Sequence, residues 1–156
     1  MHCARDRHSA CVYGTGKRFL FVSGSYLGKQ ARSVERYDTL TDTWYKMKSL
    51  NLQRSFHASC SAKNSNDKQE SVYVFCGFDA MKHATHNSVE KLRRPNVVSS
   101  RWQLIELPGM VSCWYHGVVA LNNHEVVILG GRSSEDQPLQ CVHVFDTESE
   151  VVRRVA

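Results

Sequence analysis

The sequence repeats itself three times at a spacing of roughly fifty residues, a period typical of propellers and solenoids. Each copy opens at a histidine, reaches a glycine after an apolar run, and then presents an aromatic or aliphatic residue followed by a tryptophan position. The matching positions are His8, His57 and His116; Gly24, Gly77 and Gly131; Tyr37, Leu92 and Phe145; and Trp44, Trp102 and Val152. This repetition constrains the fold more than any other feature of the chain.

The pattern within one copy predicts four short β-strands. In the first copy, residues 8–13 are small or β-branched, residues 19–22 form a continuous apolar run, and residues 33–38 alternate in polarity. Residues 43–47 follow a turn rich in Asp and Thr. No stretch has useful helical periodicity. The sequence therefore predicts an all-β domain over residues 1–156, with four-stranded antiparallel copies at about 5–53, 54–109 and 110–156.

Two connections in the second copy are longer than their counterparts in the first. Residues 63–69 are polar, which predicts an exposed, mobile loop, and residues 93–96 lengthen a later turn. In the third copy the tryptophan position falls on Val152, so the predicted fourth strand reaches the last residues of the sequence.

Composition favours a globular domain in a reducing compartment. Apolar residues make up 42% of the chain, and no run approaches the roughly 18 residues of a membrane-spanning helix. The first residues lack the apolar segment of a signal peptide. Cys11 and Cys60 occupy the position that Val119 holds in the third copy, which indicates buried apolar residues and not disulfides. These features predict a cytoplasmic protein with no membrane association.

The net charge of +5 is unevenly distributed along the chain. Residues 1–54 carry ten basic and four acidic side chains, whereas residues 110–156 carry three and six. Such a gradient could steer an acidic partner toward the first copy, although an ordinary solvated surface also explains it. No dense basic run or stacked-aromatic motif indicates a nucleic-acid partner.

These residues resemble the kelch repeat. That pattern begins with R-x-x-H, found here at residues 5–8 and 54–57, whereas Cys113 stands in the arginine position before His116. The double glycine is complete only at Gly130 and Gly131, with half-matches at residues 23–24 and 76–77. Tyr37 and Trp44 form the aromatic pair of the pattern. At the tyrosine position, Phe145 is a conservative replacement, whereas Leu92 departs from the pattern. The resemblance covers almost the whole chain.

The resemblance implies a kelch-type β-propeller whose first strands line a central channel. A propeller contains typically four to eight blades, so about three blades predict an incomplete, open ring. Its end sheets would expose unpaired edges and apolar faces. We therefore expect further blades, or a second copy of the chain, to close the ring.

The resemblance also implies a non-catalytic scaffold or adaptor segment that binds another protein through its loops. By analogy with the family, the loops after the second strands share one face with the segments between blades. Aromatic and arginine side chains often anchor interfaces, although any one of these residues could be an ordinary loop residue. The candidate partner-binding residues are Tyr26, Arg32, Arg54, Phe78, His83, His86, Trp114 and Arg132.

Two other interpretations stay open at this stage. Some kelch-like propellers are metal-dependent enzymes, and the candidate ligands here are His83 with His86, or the group His2, Cys3, His8 and Cys11. No nucleophile elbow, phosphate loop or paired-carboxylate motif accompanies them, so the sequence predicts no enzyme, no cofactor and no metal site. The departures at Leu92 and Cys113 also fit a degenerate, purely structural set of blades.

Overall fold

The computed structural model describes residues 1–26, 28–63 and 70–155, and its regular structure is almost entirely β-sheet. The prediction of an all-β fold is confirmed. Two single 3-10 turns, at Thr15–Lys17 and Gly28–Gln30, interrupt the strands. The strands are β1 Ser9–Tyr13, β2 Phe19–Ser23, β3 Val34–Asp38, β4 Thr43–Lys46, β5 Ala58–Lys63, β6 Glu70–Phe75, β7 Phe78–Asp79, β8 Ala84–Thr85, β9 Ser88–Leu92, β10 Gln103–Glu106, β11 Gly117–Ala120, β12 Glu125–Leu129, β13 Val142–Asp146 and β14 Val151–Arg154.

Each copy of the repeat forms one four-stranded antiparallel sheet. The strand orders are β1-β2-β3-β4, β10-β9-β6-β5 and β11-β12-β13-β14. Apart from β7 and β8, strands that follow one another in a copy are therefore neighbours in its sheet. None of these sheets closes on itself within the described residues. Strands β7 and β8 add a two-stranded hairpin inside a segment that the sequence predicts as loop. A strand of two residues is too short to show the alternation of apolar and polar residues by which a strand is recognised in a sequence. The predicted loop at 63–69 lies largely outside the described residues.

The first strands of the three sheets lie side by side. Strand β5 contacts both β1 and β11, and it is the only first strand with a neighbour on each side in the described part of the chain. The second sheet is therefore sandwiched between the first and the third.

Strand β6 is buried on both faces and supplies residues to two cores. Val72 and Val74 pack with Phe21 of the first sheet, whereas Tyr73 and Phe75 pack with Phe145 of the third. Alternate residues of a strand point to opposite faces, so a strand between two sheets needs apolar residues at every position. Burying each of these side chains stabilises the fold by about 1.5–3 kcal/mol.

The two outer sheets keep one apolar face each without a neighbouring sheet. Tyr37 and Trp44 of the first sheet are only partly buried, whereas Leu92 and Trp102, at the same positions of the second sheet, are buried against the first. On the third sheet, Val119 is 49% exposed. A further sheet, or another copy of the chain, would cover both faces.

The sequence spacing matches Gly24 with Gly77 and Gly131, but the hydrogen bonds after the second strands give a different equivalence. The amide of Gly24 donates to Ser33, that of Cys76 to Ser88, and that of Gly130 to Cys141. Gly24 is therefore equivalent to Cys76 and Gly130, and the double glycine of the third copy corresponds to residues 24–25 and 76–77. All three residues have positive φ, at 70° for Gly24, 50° for Cys76 and 57° for Gly130.

In the described residues, no helix has the length and apolar character that crossing a bilayer requires.

Candidate functional site

A contiguous group of aromatic side chains lies where the segments between sheets meet the loops after the second strands. Phe56 is its centre, with ring centroids 5.7 Å from Tyr26, 5.3 Å from Trp114 and 4.2 Å from Tyr115. The Trp114 ring stacks on Phe78 at 5.4 Å. We call this surface the aromatic face, and it consists of Arg7, Tyr26, Phe56, Phe78, Trp114 and Tyr115.

Three residues of the aromatic face occupy the same backbone position in the three copies. Arg7, Phe56 and Tyr115 each precede a repeated histidine, and each has positive φ, at 52°, 52° and 56°. The amide of Phe56 donates to Arg7, and the amide of Tyr115 donates to Phe56, both at 2.9 Å. Positive φ is unfavourable for bulky residues, so this repeated conformation is maintained against a local cost. It presents one large side chain per copy along a single line.

Arg7 covers the rim of the aromatic face. Its guanidinium carbon lies 4.0 Å from the ring centre of Tyr26 and 4.9 Å from that of Phe56. Such cation–π contacts contribute about 0.5–1 kcal/mol at exposed sites. The face therefore combines flat apolar surface with a guanidinium, which also lies 3.9 Å from the carboxylate of Asp6.

The rest of the face is held by hydrogen bonds to the backbone. Nε1 of Trp114 donates to the carbonyl of Ser133 at 3.0 Å, and the backbones of Trp114 and Arg132 pair with each other. The backbone of Phe78 pairs with Ser55 in the same way. The bond from Nε1 fixes the Trp114 ring, and the backbone bonds fix the segments that carry Trp114 and Phe78.

The structure brings together only some of the residues predicted from sequence. Tyr26, Phe78 and Trp114 belong to the aromatic face, and His83 packs edge-on against Phe78. Arg132 is ion-paired with Asp136 of its own loop. Arg7, Phe56 and Tyr115 were not among the contact residues predicted from the sequence. Each directly precedes a repeated histidine, and this regularity could have identified them.

Three predicted contact residues are engaged elsewhere. Nε of Arg32 donates to the carbonyl of Leu50 at 2.7 Å, and Nε2 of His86 lies 3.0 Å from the carbonyl of Gln53. The prediction that Arg54 contacts a partner is wrong for this structure, because its side chain is fully buried and ion-paired.

A groove of about 390 Å³ opens between the three copies beside the aromatic face, lined by Arg7, His8, Phe56, His57, Tyr115 and His116. His57 lies beneath it, with Nε2 2.9 Å from the hydroxyl of Ser23. Burial lowers the pKa of His57 to about 3 and that of His116 to about 4, so both rings are neutral near pH 7. The base of the groove is therefore formed by neutral imidazoles, and the guanidinium of Arg7 lies at its rim.

The metal ligands suggested by the sequence do not assemble into one site. His2 and Cys3 both contact the carboxylate of Glu35, whereas Cys11 lies in the core between the first and second sheets. His83 and His86 have the separate contacts described above. Within the described residues, the cluster with ligand atoms close enough for a metal is instead Cys76, Cys113 and His116.

No protein-family model matches the chain, and no curated protein sequence matches it.

Proposed function

We propose that this chain is a protein-binding module, a kelch-like scaffold or adaptor segment that grips another protein with its aromatic face. One observation carries the proposal: a partly exposed cluster of aromatic side chains is centred on Phe56 and Tyr115, which share one backbone position of the repeat with Arg7. Clustered aromatic and arginine side chains dominate the binding energy of many protein interfaces.

Three features support the kelch-like propeller within this proposal. The sheets are four-stranded and antiparallel, their first strands are adjacent, and the R-x-x-H arginines perform equivalent structural tasks in the first two copies. The repeated histidines of the second and third copies also pack closely against a glycine, since a Cβ on Gly77 would lie 2.7 Å from the Cβ of His57, and one on Gly131 would lie 3.0 Å from that of His116.

The chemistry of the face favours a partner segment that is apolar with an acidic residue beside it. Flat rings at Phe56 and Tyr115 accept an apolar side chain, and the guanidinium of Arg7 at the rim accepts a carboxylate. The excess of basic side chains in residues 1–54 would accelerate the approach of an acidic partner.

Site-specific crosslinking tests the proposal. A photoreactive amino acid replaces Tyr115, which is 56% exposed, and the matched control replaces Leu40, which is 74% exposed on the turn between β3 and β4. We expect a discrete crosslinked protein from the Tyr115 position, and its loss when Arg7→Ala and Phe56→Ala are added. Crosslinks that are identical from Leu40, or unchanged by these substitutions, would contradict the proposal. The absence of enzymatic activity and the cytoplasmic location remain predictions from the sequence.

A further inference from the structure

A compact group of two thiols and one imidazole is buried between the second and third sheets. Cys76 follows β6, whereas Cys113 and His116 lie in the segment that leads into β11. Their Sγ and ring-nitrogen atoms all lie within 4.8 Å of one another, and all three residues are buried. The group therefore adds to the contacts between these two sheets, which include apolar packing and the ion pair of Lys91 with Glu150.

The imidazole of this group has no good hydrogen bond. Neither Nδ1 nor Nε2 of His116 has a partner, although both atoms are shielded from solvent. Leaving a buried polar group unsatisfied costs about 1–3 kcal/mol. A neutral imidazole whose ring nitrogens are both unpartnered has a lone pair available for a metal ion.

Comparison of the three copies shows that, in the third, a cysteine and a histidine occupy the positions of the buried arginine–glutamate ion pair. Arg5 pairs with Glu35 in the first copy, and Arg54 pairs with Glu90 in the second. In the third copy, Cys113 takes the arginine position and His143 the glutamate position. Ser88 of the second copy is likewise replaced by Cys141. All the members of the polar network have changed together.

Cys76 occupies a position where its backbone conformation favours glycine. Its φ is 50°, and the equivalent residues of the other copies are Gly24 and Gly130. A residue other than glycine in this conformation carries a conformational cost. Cys76 bears that cost at a position where its thiol lies close to Cys113 and His116.

We propose that Cys76, Cys113 and His116 bind a Zn²⁺ ion that ties the second sheet to the third. Thiolate and imidazole are the ligands that Zn²⁺ prefers, in tetrahedral geometry with Zn–S distances of about 2.3 Å and Zn–N distances of about 2.0–2.1 Å. Two thiolates and a neutral imidazole balance the charge of the ion, which suits a buried site.

Binding must displace protons from the thiols. Zn²⁺ binds thiolate and not thiol, so the protons of Cys76 and Cys113 pass to solvent when the metal binds. Zinc affinity should therefore rise with pH, and bound metal should stabilise the folded state over the unfolded one. This site does not depend on the aromatic face or on a partner.

Metal titration of the full chain tests the site. The reduced, chelator-stripped protein is titrated with Zn²⁺ alone, and Co²⁺ is used as a spectroscopic substitute. We expect one metal per chain, a thiolate-to-cobalt charge-transfer band and a higher melting temperature. Cys113→Ser should weaken binding by at least about tenfold, because even the loss of a residue that only supports a ligand has effects of that size. The matched control is Cys60→Ser, a cysteine outside the cluster.

A second measurement needs no variant and remains informative if Cys113→Ser fails to fold. Zinc should slow alkylation of Cys76 and Cys113 in the native protein, read peptide by peptide in a mass spectrometer, and leave Cys60 unchanged. Failure to bind Zn²⁺ at micromolar concentration, equal protection of all the cysteines, or a Cys76–Cys113 disulfide in the freshly purified protein would overturn the proposal.

Discussion

Nε of Arg54 lies 3.0 Å from the carboxylate of Glu90, and neither side chain is exposed to solvent. The same guanidinium also donates to the carbonyls of Cys76 and Ser88. Arg54 therefore joins the segment before β5 to the ends of β6 and β9. Arg5 repeats the arrangement with Glu35 in the first sheet, where it also binds the carbonyls of Gly24 and Ser33.

Removing the buried arginine should destabilise the domain strongly. We expect Arg54→Met to lower the free energy of unfolding by about 3–5 kcal/mol, because the carboxylate of Glu90 is left buried without its counter-charge. Urea denaturation followed by tryptophan fluorescence measures the change. The control is Arg101→Met, at an exposed position between β9 and β10, for which we expect a change within about 0.5 kcal/mol. Equal effects of the two substitutions would show that burial of the ion pair is unimportant.

Close packing at the glycine after β6 should make it intolerant of any side chain. A Cβ on Gly77 would lie 2.7 Å from the Cβ of His57 and 2.8 Å from the carbonyl oxygen of Ser55. Gly109 is a matched control, because its φ of 85° resembles the 98° of Gly77, yet a Cβ there meets nothing within 4 Å. We expect Gly77→Ala to cost at least about 1 kcal/mol more than Gly109→Ala in thermal denaturation. Similar losses of stability in the two variants would mean that the positive φ alone, and not close packing, accounts for the glycine at position 77.

The buried His57 should make the fold sensitive to acid. Its pKa is about 3 in the folded state because burial disfavours the charged ring, and an unfolded histidine titrates near its ordinary value of 6.5. As the pH falls below 6.5, the unfolded chain takes up a proton that the folded chain refuses. The free energy of unfolding should therefore fall by up to about 1.4 kcal/mol per pH unit until the pH approaches 3.

Denaturation at a series of pH values between about 7 and 5 measures this dependence. His57→Gln should flatten the slope, and the surface variant His83→Gln serves as the control. A slope that is the same in the His57→Gln variant and in the original protein would assign the acid sensitivity to other groups.

The uncovered apolar faces of the outer sheets should promote self-association. Leu129 is 45% exposed on the third sheet, beside Val119, whereas the first sheet presents Tyr37 and Trp44. We expect sedimentation velocity to show association that increases with concentration, and Leu129→Lys to reduce it. Val98→Lys, at a comparably exposed site between β9 and β10, is the control. A monomer at every concentration would contradict this expectation.

Regular patterns made the strands predictable. The apolar run that contains Phe21 is a buried strand, and each four-stranded copy forms its own sheet. The hairpin of β7 and β8 was missed because two-residue strands have no readable period. The register of the glycines was also missed, since counting residues cannot show that Gly24 and Cys76 share a hydrogen-bonding role.

The candidate sites were harder to predict because a residue type does not show which way a side chain faces. Arg54 and Arg132 look alike in the sequence, yet the first is buried with Glu90 and the second lies in a surface loop. Cys76 and Cys113 are 37 positions apart and have no metal-binding spacing. Only the packing of one sheet on another brings them together with His116.

The sequence by itself determined the repeat, the all-β class and the four strands of each copy, because these depend on local alternation and on turn residues. The tertiary structure decided which residues meet. It aligned Arg7, Phe56 and Tyr115 on one face, since each precedes a first strand and these strands lie side by side. It also buried two thiols and an imidazole in one space, because contacts between sheets depend on how whole sheets pack and not on spacing along the chain.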